Sequence, residues 1–135
     1  KTKKMGRVFF NTRDNVHTIT AAYQVLASDS GKTFLIDQDA AFAITLPALQ
    51  EGLNFEFIVA DAGSGEVHIT SGTSNGIKGW SMDLTTGLNA IDNVLVEVVA
   101  STAVLGDTVK LWCNGSVWLC QSFSGSTNGI VGADS

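Results

Sequence analysis

Apolar and polar residues alternate with a period of two along most of the chain. Leu53, Phe55, Phe57 and Val59 fall on one face of an extended segment, with Asn54, Glu56 and Ile58 on the other. Phe42, Ile44 and Leu46 alternate with Ala43 and Thr45, and Val67 and Ile69 alternate with Glu66, His68 and Thr70. The spacing recurs at Val94, Val96 and Val98 and at Val109, Leu111 and Cys113. A two-residue repeat sends successive side chains to opposite faces of a strand, and β-branched and aromatic residues suit a half-buried pleated surface. Glycine-bearing breaks at Asp29–Gly31, Gly63–Gly65, Gly72–Gly76, Thr85–Gly87 and Gly106–Asp107 punctuate the runs. Together these features predict an all-β chain: a single-domain antiparallel β-sandwich or barrel. One helical turn is predicted at Pro47–Gly52, with proline at the first helical position and glycine as the stop.

Composition narrows the class without changing it. A chain of 135 residues, 44% hydrophobic and 16% charged, has the size and apolar content of one domain with its own core. Its apolar runs are far short of the roughly 20 residues of a membrane helix, so no membrane partner is expected. Charge divides the chain more sharply. Residues 1–13 hold Lys1, Lys3, Lys4, Arg7 and Arg13 and no acid, whereas the rest holds three basic residues against all 13 acidic ones. The net −5 is therefore +5 on the first segment and −10 on the remainder. The chain is read as a basic N-terminal arm over 1–20, a body over 21–123 and a Gly/Ser-rich tail over 124–135, flexible or laid across a neighbour. Short extended pieces are expected within the arm near Arg7–Phe10 and Val16–Thr20. Phe9 and Phe10 beside the charges suit a protein neighbour better than solvent alone, and an acidic body argues against nucleic acid. No export signal is expected, because no apolar stretch follows the basic residues.

Candidate chemistry is sparse. Ser30-Gly31-Lys32-Thr33 resembles part of a phosphate loop, but Leu26 stands where that motif needs glycine and a strand-like Phe34-Leu35-Ile36 follows instead of a helix. A turn over Asp29–Lys32 is the expectation. Asp37-Gln38-Asp39 offers two carboxylates for calcium but lacks the glycine and distal glutamate of a loop site, so a polar turn is expected and no metal. His17 and His68 are the only histidines, and His68 faces away from Val67 and Ile69 as a partly exposed or interface residue. Neither pairs with a recognisable nucleophile, so no catalytic residue and no cofactor are expected. Asn114-Gly115 marks a hairpin turn between apolar runs. A two-residue loop sets Cys113 opposite Ser116, and a three-residue loop sets it opposite Val117. In neither register does Cys113 face Cys120, and both are expected to be free, buried thiols.

The body has a further order. Ala27-Ser28-Asp29-Ser30-Gly31-Lys32-Thr33-Phe34 is followed by Ala43-Ile44-Thr45-Leu46-Pro47 and Glu51-Gly52-Leu53-Asn54-Phe55-Glu56-Phe57. Ile69-Thr70-Ser71 leads to Gly76-Ile77-Lys78-Gly79, and the series closes on Gly106-Asp107-Thr108-Val109-Lys110-Leu111 and Asn114-Gly115-Ser116-Val117-Trp118. Over about residues 23–122 this resembles the small all-β structural proteins of tailed phages and related viruses, most of all head decoration (cement) proteins. The resemblance implies a non-enzymatic homotrimer on the capsid surface of a virion, assembled in the host cytoplasm and clamping the major capsid protein. Its avidity would come from several modest contacts made together. Lys1, Lys3, Lys4, Arg7, Phe9, Phe10 and Arg13 are then the candidate residues for capsid or neighbour binding. The alternative is a tail-fibre or spike head that binds a host glycan, with Trp80, Trp112 and Trp118 as a stacking platform.

Overall fold

A computed structural model describes residues 15–134 of the chain. Six strands fill its first half: β1 (Val16–Ile19), β2 (Tyr23–Gln24), β3 (Thr33–Asp37), β4 (Phe42–Thr45), β5 (Asn54–Asp61) and β6 (Val67–Thr70). Six more follow: β7 (Ile77–Asp83), β8 (Gly87–Asn93), β9 (Leu95–Val98), β10 (Thr108–Cys113), β11 (Trp118–Phe123) and β12 (Ile130–Ala133). A seven-stranded sheet has the order β1-β3-β5-β10-β11-β7-β8, and a five-stranded sheet the order β12-β9-β6-β4-β2. The fold is all-β, with two sheets over a shared core as in a β-sandwich. No helix among the described residues is long and apolar enough to cross a membrane.

Both sheets are mixed, which corrects the antiparallel expectation. From β1 to β6 the chain alternates between the sheets, so each strand returns beside one running the same way. The pairs β1/β3, β3/β5, β2/β4 and β4/β6 are all parallel. Arches between sheets, not hairpins within one, set these directions. Hairpin pairing returns later, in the antiparallel pairs β7/β8 and β10/β11.

The alternating runs deliver the core as expected. Phe55, Phe57 and Val59 on β5 and Val109 and Leu111 on β10 face Ile44, Val67, Ile69, Val96 and Val98 of the other sheet, all within one buried cluster. Phe34 stacks on Phe57 with ring centroids 5.2 Å apart. Trp118 is 1% exposed and packs against Phe55 at 5.8 Å. Gln38, wholly buried in the turn after β3, donates from Nε2 to the Gly65 and Val98 carbonyls at 3.0 and 3.2 Å, tying that turn to the five-stranded sheet.

Three local expectations change. Pro47–Gly52 forms no helix: a turn at Glu51–Gly52, with Gly52 at φ 95°, leads the chain straight into β5. Cys113 pairs with Trp118, so the β10–β11 loop is four residues long, longer than either predicted register. Asn114 Oδ1 accepts the Ser116 and Val117 N–H groups at 2.9 Å each, and Gly115 alone takes the positive φ, so asparagine caps the loop from its side chain. Finally, the segment read as a tail includes β12, which pairs with β9 and buries Ile130. The piece predicted near Val16–Thr20 is β1, whereas Lys1, Lys3, Lys4, Arg7, Phe9, Phe10 and Arg13 lie outside the described residues.

Candidate functional site

The register of the seven-stranded sheet builds a site at one corner. Across its outer face, Ile58, Thr108, Phe123, Met82 and Leu88 form one row, with Glu56, Lys110, Gln121, Trp80 and Ala90 in the next. On β5 and β10 the outer positions are mostly polar, and Lys110 meets Glu56 at 3.7 Å. On β11, β7 and β8 the pattern turns over. Phe123 is 44% exposed and Leu88 62%, and Trp80 stands edge-on to Phe123 at 5.6 Å. Leu84 in the β7–β8 turn and Leu105 before β10 are more exposed still, at 82% and 67%. The buried positions behind them are polar: Ser81 and Asp83 on β7 and Ser122 on β11. Met82, Leu84, Leu105 and Phe123 line a groove of about 340 Å³ that has Asp83 and Asp107 in its wall.

Both carboxylates are engaged by hydrogen-bond donors. Asp83 accepts from the Thr85 and Thr86 N–H groups, the Thr86 hydroxyl and the Asn128 N–H at 2.6–3.0 Å. The Asn128 N–H, with the Thr86 N–H and hydroxyl, holds its carboxyl well below the usual range. Asp107 accepts from the Ser124 hydroxyl at 2.7 Å, the Gly125 N–H at 2.8 Å and the Val104 N–H at 3.0 Å. These acids fasten the loops that carry Leu84 and Leu105. What the groove offers a partner is apolar surface on a rigid frame.

The other candidates take these positions. Asp29–Lys32 is a turn closed by the Lys32 N–H on the Asp29 carbonyl at 3.0 Å and runs directly into β3, as expected in place of a phosphate loop. The Asp39 N–H donates to Asp37 Oδ1 at 2.9 Å, giving the expected polar turn. The fold adds Asp61 to that turn, and the charges of Asp37 and Asp61 raise the Asp39 carboxyl above its ordinary range. Cys113 and Cys120 are free and buried, and burial pushes the Cys120 thiol up to about 12, away from thiolate chemistry. The three tryptophans do not share one platform, since Trp118 belongs to the core. His68 lies on the outer face of the five-stranded sheet, as its place between Val67 and Ile69 predicts. Glu97 stands opposite it, a contact with no local signature because it depends on the pairing of β6 with β9.

Comparison with known proteins adds no relative: no family model, curated protein or solved structure matches the chain.

Proposed function

We propose that the chain is a non-enzymatic structural subunit that works by packing against protein neighbours. In its specific form, it is a capsid decoration protein that assembles as a homotrimer on the outside of a virus head and binds the major capsid protein. The apolar corner formed by Phe123, Met82, Leu88, Leu84 and Leu105 carries the reading. Contiguous exposed apolar surface on a rigid sheet is what protein interfaces use, and each such side chain is worth about 1.5–3 kcal/mol when fully buried. The placement on a virion rests on the resemblance over about residues 23–122, and the arm's role on its +5 charge against the −10 of the remainder.

The test is co-sedimentation of the purified chain with capsids that lack it, repeated after deletion of residues 1–13. Saturable binding that weakens with the deletion is expected. A chain that ignores the particles overturns the capsid reading, and unchanged occupancy after the deletion removes the arm from it.

A further inference from the structure

We propose that Glu66, His68 and Glu97 form a binding site for a borderline divalent metal ion of the zinc class, on the outer face of the five-stranded sheet. His68 and Glu97 are direct cross-strand partners on β6 and β9, and Glu66 precedes His68 by two residues, on the same side of the strand. His68 Nε2 stands 3.1 Å from Glu66 Oε1 and 3.4 Å from Glu97 Oε2. One donor atom from each residue lies within 4.8 Å of the other two.

The proton count points to a cation. A ring nitrogen carries at most one hydrogen, in the neutral or the charged imidazole. Nε2 faces two carboxylate oxygens, so a single proton there can point at one of them and leaves the other without a hydrogen or with half of a shared, bent bond. A metal ion in place of that proton engages all three donors at once. An ion about 2.1 Å from His68 Nε2 and from either carboxylate oxygen subtends about 95° across the 3.1 Å gap and about 108° across the 3.4 Å gap, between octahedral and tetrahedral values, and small rotations of the glutamate side chains close the third side. Among the described residues, Lys32, Lys78 and Lys110 pair with Asp29, Asp92 and Glu56, and His68 is the basic group that stands against Glu66 and Glu97. An imidazole nitrogen with two carboxylates suits zinc, cobalt or manganese better than calcium, which takes six to eight oxygens. All three side chains are partly exposed, so the remaining coordination positions open to solvent. Bound there, the ion would pin β6 to β9.

The experiment is isothermal titration of the full, tag-free chain with zinc chloride, with cobalt(II) absorption as the reporter of ligand geometry. One ion per chain is expected, with a zinc-dependent rise in melting temperature. His68→Ala and Glu97→Gln should each weaken binding by more than about tenfold. His17→Ala and Asp39→Asn should leave it unchanged. Circular dichroism checks that each variant folds; if His68→Ala does not, the near-isosteric Glu66→Gln and Glu97→Gln decide. The absence of a zinc heat and cobalt bands in the wild type, or binding that survives the loss of His68 or of Glu97, overturns the site.

Discussion

The seven-stranded sheet has two halves that follow opposite rules. In β3, β5 and β10 the large side chains Phe34, Phe55, Phe57 and Leu111 point into the core, while Glu56 and Lys110 hold the outer surface and Trp112 alone of the large residues on β10 is exposed there. β7 and β11 begin in the same way, burying Ile77, Trp118 and Cys120, but towards their C-terminal ends the buried positions go to Ser81, Asp83 and Ser122 and the outward ones to Trp80, Met82 and Phe123, with Leu88 beside them on β8. The first half obtains its stability within the chain by removing apolar surface from water. The second uses buried Asp83 to hold loops in place through hydrogen bonds and leaves its large apolar side chains exposed. The sheet is therefore core-forming along β3, β5 and β10 and carries an exposed apolar corner where β7, β8 and β11 end, with Trp118, Cys120 and Ile77 still in the core.

That contrast is open to direct attack. The largest effect is expected from Phe57→Ala, which empties a wholly buried site and should cost about 3–5 kcal/mol in urea unfolding. A loss under about 1 kcal/mol would mean that the β5 half is not the stability core. Next is Gly79→Ala. Gly79 sits at φ 150°, and an added Cβ would run into the Cys120 carbonyl where β7 and β11 pair in parallel. Overpacking against backbone should cost about 1–3 kcal/mol, and an unchanged melting temperature would contradict the close approach.

The β3–β5–β10 half was legible in the sequence because its pattern is local: Leu53, Phe55, Phe57 and Val59 announce a strand and its buried face without reference to any neighbour. β7 and β8 were not legible, since Ser81 and Asp83 take inward positions and Trp80 and Met82 outward ones, which inverts the expected signal. Strand direction was hidden for a different reason. Parallel pairing follows from arches that cross between sheets, and no residue near Pro47–Gly52 or Gly63–Gly65 encodes which sheet comes next. Likewise, His68 was visible as an outward residue on a strand, but its contact with Glu97 comes from pairing across 29 residues of sequence.

Smaller effects test the second half. The Asp83 carboxyl titrates below its ordinary range in the folded chain, so the unfolded chain takes up the proton first as pH falls. Its contribution to stability is present above about pH 4 and is lost progressively below it. Asp83→Asn should flatten this part of the acid-unfolding profile and, by turning an NH₂ toward the Asn128 N–H or the Thr86 donors, lower stability at neutral pH; a profile that superimposes on the wild type would contradict the assignment. The least effect on folding is expected from Leu88→Glu, which alters an exposed side chain on an edge strand and, at concentrations where the wild type is dissociated, should shift unfolding by no more than about 0.5 kcal/mol. Near-UV and far-UV dichroism should match the wild type.

Sedimentation equilibrium of the wild type beside Leu88→Glu and Phe123→Glu addresses the interface itself. The wild type should have a mass three times the 14.2 kDa of the chain, and both variants should fall toward 14.2 kDa while remaining folded. A wild type that stays at 14.2 kDa across the concentration range, or variants that assemble as well as it does, would show that the exposed corner is not where copies of this chain meet.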